Sequence, residues 1–222
     1  MKRNELKNRI FTSIILSFLL LLMLNFSIAL ISSLIIIFVI CWIEFNNIIE
    51  KIFAKKNSKT SLKNLSKFLV FIYLFFFMKT IIDEFLQNYP DLSWNLIFLI
   101  SICILSDIGG YVFGKYFKGK KLSKISPNKT YSGAIGSLSL TLIFAFIYTF
   151  TLNFVDMKLI IFISILVSIL CQIGDLIISF LKRKSKVKDT GNLLPGHGGL
   201  LDRIDGMLLA IPFGLIILNY FY

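Results

Sequence analysis

Along the chain, apolar residues come in long blocks separated by shorter polar runs, without the alternating or striped patterns of soluble strands and helices. The blocks fall at 10–26, 28–44, 68–82, 93–106, 132–153, 158–181 and 206–222. A helix crosses the hydrocarbon of a bilayer with about 20 apolar residues. The pattern therefore predicts about seven spans, several of them short or polar at one end. Strands of a membrane barrel would alternate apolar and polar positions, and these blocks do not. The expected fold class is all-α, a polytopic transmembrane helical bundle. It divides into N-terminal transmembrane helices over 1–92 and a second region over 93–222, whose polar loops lie at 107–131 and 182–205.

Composition supports this solvent assignment: 56% of residues are hydrophobic and only 16% charged, which argues against a soluble domain. The net charge of +12 would suit nucleic acid, but its placement argues for a different role and no nucleic-acid partner is expected. With the N-terminus inside, Lys2, Arg3, Lys7 and Arg9 and the segments 45–67, 107–131 and 182–205 share one side, and they hold 22 of the 24 Lys and Arg residues. The opposite loop, 83–92, carries Asp83, Glu84 and Asp91 and no basic residue. Positive charge so placed sets topology, giving a multi-pass protein of the cell inner (plasma) membrane with a cytoplasmic N-terminus. It also attracts anionic head groups and nucleotide phosphates. The first block has a basic start, but no small-residue cleavage site follows it and Asn25 leads straight into the next block, so it reads as a span and not a cleaved signal. Cys41, Cys103 and Cys171 sit far apart in apolar blocks and read as packing residues. The stretch 45–67 reads as a basic connector lying on the head groups.

Acidic residues near spans are costly and therefore informative. Asp175 lies inside the sixth block, with Ser179 one turn on. A carboxylate there costs on the order of 2.5–3.5 kcal/mol unless paired, wet or metal-bound, so it either meets a neighbouring lysine or holds a cation. Asp202 and Asp205, three apart at the start of the last block, share a helix face. They suit N-terminal capping with Arg203 as a screen, or, with Asp175 as a third carboxylate, a magnesium ion, which takes oxygen ligands and completes its shell from water and phosphate. Between them, Pro195, Gly196, His197, Gly198 and Gly199 form a run whose backbone amides can turn toward an anion. Lys182, Arg183, Lys188 and Arg203 surround that run with phosphate-binding charge. His197, the single histidine, fits a phosphate or ribose contact as well as a structural role.

The earlier loop contains a false lead. Gly109–Lys115 and Gly114–Lys120 each match G-x-x-x-x-G-K, yet Tyr116 and Lys121 stand where Ser or Thr is needed and no strand precedes them. The P-loop reading is rejected. What remains is a basic glycine-rich segment from Asp107, followed by Ser126-Pro127-Asn128-Lys129-Thr130, in which Ser126 and Thr130 can simply cap helices.

Together these residues form a pattern. Ser179, Lys182, Arg183, Lys188-Asp189-Thr190-Gly191 and Leu194-Pro195-Gly196-His197-Gly198-Gly199-Leu200-Leu201-Asp202-Arg203-Ile204-Asp205 resemble the signature of the phosphatidate cytidylyltransferase family. Upstream, Asp107 with Tyr111 and Gly114, and the turn from Ser126 to Thr130, resemble weaker elements of that family, so the likeness covers roughly 100–210. Asn128 stands in place of a lysine, Lys115 where arginine is common, and Tyr131-Ser132 in place of Trp-Glu. The resemblance implies an enzyme that joins CTP to phosphatidic acid, giving CDP-diacylglycerol and pyrophosphate, with 93–222 as its catalytic region. It implies Asp175, Asp202 and Asp205 on magnesium, and Lys188 and Asp189 in the catalytic centre. Ser179, Lys182, Arg183, His197, Gly198, Gly199, Arg203, Asp107, Tyr111, Ser126, Lys129 and Thr130 are then expected to contact substrate. A homodimer is one expectation for the assembly. Alternative readings are a CTP-dependent enzyme on another lipid (an ether-lipid cytidylyltransferase or a polyprenol kinase), a transporter, and a non-catalytic scaffold for anionic lipid.

Overall fold

The computed structural model describes residues 12, 15–16, 18–23, 25–54, 60–88, 93–123, 126, 129–151, 156–194 and 198–221. Six long helices follow in order: α1 Ser27–Ile52, α2 Thr60–Asn88, α3 Trp94–Phe117, α4 Tyr131–Thr151, α5 Met157–Lys184 and α6 Leu201–Phe221. All six are long and apolar enough to cross a membrane, and the chain is a multi-pass membrane protein. No strand forms among the described residues, only two isolated bridges, Lys121 with Thr130 and Leu194 with Gly198. Most of the first expected span, 10–26, is described and helical, but residues 10, 11, 13, 14, 17 and 24 lie outside the described set, as do the basic residues of 1–9.

The helices outrun the apolar blocks that announce them. The 45–67 connector is mostly helix: α1 runs on to Ile52 and α2 begins at Thr60, and Glu50 on α1 pairs with Lys63 and Lys67 on α2, each at 2.5 Å. The acidic stretch expected as a loop from 83 is helical to Asn88. Within it Glu84 is buried and accepts hydrogen bonds from Ser93 Oγ at 2.9 Å and Asn88 Nδ2 at 3.1 Å. Likewise α3 passes through Asp107 to Phe117, so the loop expected from 107 starts eleven residues later. Polar residues end an apolar block without ending a helix, because the backbone ladder continues wherever side chains find partners or water.

The chain folds as two compact units. One comprises 1–93 with 181–204, the other 94–180 with 205–222. In the first, α1 and α2 pack through buried residues at helical spacing, Leu30, Leu34, Cys41, Phe45 and Ile48 on one helix and Leu74, Phe77, Ile81 and Phe85 on the other. Phe71 meets Phe38 and Trp42 edge-on, with ring centroids 5.3 and 5.2 Å apart. The opposite faces present Ile28, Ile36, Phe68 and Phe75 outward, an arrangement that lipid tolerates and water does not.

In the second unit, small residues let backbones touch. A Cβ at Gly109 on α3 would stand 2.5 Å from the Gly136 carbonyl oxygen and 2.9 Å from Ser137 Cα on α4, and one at Gly133 would stand 2.7 Å from the Gly110 carbonyl oxygen. Hydroxyls fasten the same interior: Ser137 Oγ donates to the Ser106 carbonyl at 2.6 Å, and the Ser106 and Ser168 hydroxyls lie 3.1 Å apart. Close packing and interhelical hydrogen bonds of this kind hold helices together where lipid removes the hydrophobic drive. Gly109, which opens the rejected phosphate-loop pattern, is thus part of a helix–helix contact. Gly109→Ala should lower the unfolding temperature in detergent, an overpacking cost on the order of 1–3 kcal/mol. Gly110→Ala, whose Cβ would meet the more yielding Ser137 hydroxyl at 3.0 Å, should cost less in the same thermal melt.

Candidate active site

The segment that carries the signature begins where α5 stops. Lys186 turns to φ 58°, its N–H donates to the Arg183 carbonyl at 3.1 Å, and Val187 N–H donates to the Lys182 carbonyl at 3.0 Å. These two bonds are a Schellman closure with lysine in the left-handed position usually given to glycine. Lys182, Arg183 and Lys184 crowd the last turn, where the helix dipole favours cations. The chain returns through a pinch: Leu194 and Gly198 exchange two backbone hydrogen bonds, 2.9 and 3.1 Å. Gly198 sits at φ +82°, a conformation that a side chain would strain. Pro195, Gly196 and His197 lie outside the described residues.

Asp202, in the first turn of α6, organises the loop. Its Oδ1 accepts from Lys182 Nζ at 2.7 Å. Its Oδ2 accepts from Thr190 N–H at 2.8 Å, Thr190 Oγ1 at 3.0 Å and Gly199 N–H at 3.1 Å. The side chains of the ion pair are only 16% and 6% exposed, so the charge-assisted bonds work at reduced dielectric. From the other side comes Glu44 of α1, buried, which the sequence reading passes over. It accepts from Thr190 Oγ1 at 2.6 Å, Leu200 N–H at 2.9 Å and Leu201 N–H at 3.0 Å. The available signal was an acidic residue closing the apolar block 28–44.

The other expected carboxylates belong to the second unit. Asp175 pairs with Lys129 and accepts from Ser179 Oγ at 3.3 Å, the same-face contact expected from their spacing. Asp205 interacts with the Asp175 carboxyl and feels the charge of Asp107. Asp107 also receives the Cys171 thiol at 3.8 Å. Glycines make this convergence possible: a Cβ at Gly174 would stand 2.7 Å from the Asp205 carbonyl oxygen, and Gly206 faces Cys171. Lysine therefore meets Asp175, as one of its two sequence readings held, and that lysine is Lys129. Like-charged carboxylates in one place call for a proton or a cation between them. Among the described residues no three His, Cys, Asp or Glu side chains converge closely enough to hold a metal ion by themselves. Magnesium commonly takes only one or two carboxylates, so Asp175 with Asp205 has the chemistry to hold it.

The remaining expected residues are placed as follows. Thr130 caps α4, accepting from Gly133 N–H at 3.1 Å, and Ser126 accepts from Lys129 N–H through its carbonyl at 3.1 Å. Ser132, the departure from glutamate, accepts from Gly119 N–H at 3.2 Å. Tyr111 is exposed, with Lys115 Nζ 5.5 Å from its ring centroid. Arg183, Lys188, Asp189 and Arg203 are exposed, and Gly199 is buried against Glu44 and Thr190.

A model of the cytidylyltransferase family matches residues 1–221, and the chain belongs to that family. A protein named phosphatidate cytidylyltransferase in Staphylococcus haemolyticus is 40% identical over 125 residues, 55% of this chain and 48% of that protein. One of the same name in Bacillus subtilis is 38% identical over 139 residues, 61% and 52% of the two chains. A third, in Rickettsia bellii, is 39% identical over 146 residues, 62% and 63%. The chain spans about half the length of the curated relatives it matches.

Asp202→Asn should loosen the signature loop. Both carboxylate oxygens face donors, so either orientation of the amide sets an N–H against an N–H or an ammonium. Tryptic cleavage at Lys184, Lys186 and Lys188 should then speed up about tenfold, the equivalent of one lost charge-assisted bond, as read by mass spectrometry of timed digests.

Proposed function

We propose that this chain transfers the CMP moiety of CTP to phosphatidic acid, forming CDP-diacylglycerol and pyrophosphate. The observation that carries the reading is its 38–40% identity to proteins named phosphatidate cytidylyltransferase. The chemistry is a displacement at phosphorus. An oxygen of the lipid phosphate attacks the α-phosphorus of CTP, the bond to the β-phosphate bridging oxygen breaks, and pyrophosphate departs with that electron pair. Both reactants are anions, so the barrier lies in repulsion and alignment, and no general base is required because the lipid phosphate is already ionised.

Lys182, Arg183, Lys188 and Arg203, with the amides of the glycine loop, bind and orient the phosphates, and His197 contacts phosphate or ribose. Asp175 and Asp205, with Asp107 beside them, are the carboxylates proposed to hold magnesium. Asp202 is also proposed as a magnesium ligand through Oδ1, at which Lys182 is the one donor described. Bound magnesium would neutralise phosphate charge and draw electrons from the phosphorus under attack. The protein sits in the cell inner membrane with its N-terminus and the basic segments in the cytoplasm. Phosphatidic acid thus stays in the leaflet while CTP arrives from water, and the positive charge serves topology and phosphate, not nucleic acid.

The test is turnover of labelled CTP with phosphatidic acid and magnesium by detergent-purified protein. Labelled CDP-diacylglycerol and equimolar pyrophosphate are expected, whereas release of CDP would mark a lipid kinase and absence of product would reject the reading. Asp175→Asn and Asp205→Asn should each lower kcat at least 100-fold and abolish Mn2+ binding read by electron paramagnetic resonance. Full Mn2+ binding in both would remove these residues from the metal site.

A further inference from the structure

Glu44 is a buried acidic residue that the proposed reaction leaves without a task. It stands in α1, nearly 150 residues from the loop it meets, and is 5% exposed. Three hydrogen bonds reach it, all from the signature segment: Thr190 Oγ1 and Leu201 N–H on Oε2, Leu200 N–H on Oε1. Leu201 opens α6 and Leu200 immediately precedes it, so Glu44 supplies from another helix the anionic cap that a local Ser or Asp normally gives. Gly198, Gly199 and Leu200, which lead into the helix, carry no polar side chain for that purpose.

The contact is built closely. A Cβ at Gly199 would stand 2.7 Å from Glu44 Oε1, and one at Gly191 2.6 Å from the same oxygen. The loop therefore wraps the carboxylate with backbone on both sides. Thr190 Oγ1 has one proton and two carboxylate acceptors, Glu44 at 2.6 Å and Asp202 at 3.0 Å. Together the two acids fix Thr190, Gly199, Leu200 and Leu201 in a single arrangement, and Asp202 alone cannot reach the last two.

We infer that Glu44 is a positioning residue, which sets the glycine loop for the triphosphate of CTP by capping α6 and clamping Thr190 from the N-terminal helices. This rests on the proposed cytidylyl transfer for its kinetic consequence, and on the hydrogen bonds alone for its structural one. Glu44→Gln is the sharpest probe. It keeps the shape, yet both carboxylate oxygens accept, so either orientation of the amide turns an NH2 toward an N–H or a hydroxyl proton. Thr190→Val removes only the bridging hydroxyl.

The experiment uses the full chain in detergent and measures the unfolding temperature, KM for CTP and for phosphatidic acid, and the rate of tryptic cleavage within 182–203. For Glu44→Gln, KM for CTP should rise about tenfold and cleavage quicken similarly, with KM for phosphatidic acid and the unfolding temperature near wild type. Unchanged KM for CTP and unchanged cleavage would overturn the inference, as would a rise in both KM values that tracks a fall in unfolding temperature. If Glu44→Gln does not fold, the same readouts on Thr190→Val decide, with the same two outcomes. If the wild type itself makes no CDP-diacylglycerol, the reaction assigned above fails, and the cleavage rate still decides whether Glu44 holds the loop.

Discussion

Between them Asp202 and Glu44 collect seven hydrogen bonds from Lys182, Thr190, Gly199, Leu200 and Leu201, and the signature segment has its shape because of them. A loop with glycines at 191, 198 and 199 has little side-chain packing to order it and a large conformational entropy to lose. Two acids buried or half-buried at its base can offset that loss, since each bond to an ionised acceptor is stronger than a neutral one and each acid would suffer in low dielectric without its donors. The constraint runs both ways. Glycine is needed at 199 because any side chain would strike Glu44 and Thr190, and the acids are needed because glycine provides no cap for α6.

Close backbone contact performs a corresponding service in the unit of 94–180 and 205–222. Gly174 and Gly206 bring α5 and α6 together next to Asp175 and Asp205, while Gly109, Gly110, Gly133 and Gly136 do the same for α3 and α4. Where apolar surface gains nothing by leaving lipid, packing density and hydroxyl bonds such as Ser137 to Ser106 set helix position. Among the described residues some glycines therefore permit helices to touch, Gly191 and Gly199 make room for Glu44, and Gly198 permits a turn.

This distinction explains what could be read from the sequence. Apolar blocks announced the helices, since their length and lack of alternation leave no alternative in a bilayer, but their ends were misplaced at 45–52, 60–67, 83–88 and 107–117 because polar residues near the head groups need not break a helix. The pairing of Ser179 with Asp175 and the capping by Thr130 followed from local spacing. Lys129 on Asp175 and Glu44 on the loop did not: each joins residues tens to more than a hundred positions apart, and no periodicity encodes such a meeting. Lys186 in the left-handed cap was equally hidden, since that position ordinarily announces itself by glycine.

The carboxylates differ in a way that bears on chemistry. Glu44 and Asp202 Oδ2 are met by backbone N–H groups and the Thr190 hydroxyl, an arrangement that fixes the loop's geometry, while Asp202 Oδ1 is met by Lys182. Asp175 and Asp205 each have one neutral donor, the Ser179 hydroxyl and Gly206 N–H, and are otherwise met by each other, by the charge of Asp107 and by Lys129, an arrangement whose electrostatics favour exchange of one cation for another. An acid whose donors are backbone amides is suited to hold a loop. An acid whose neighbours are other acids is suited to hold a divalent ion and, through it, a polyphosphate. Roles among acidic residues of one motif can thus be separated by asking what donates to each oxygen, a question that the spacing of Asp202 and Asp205 leaves unanswered.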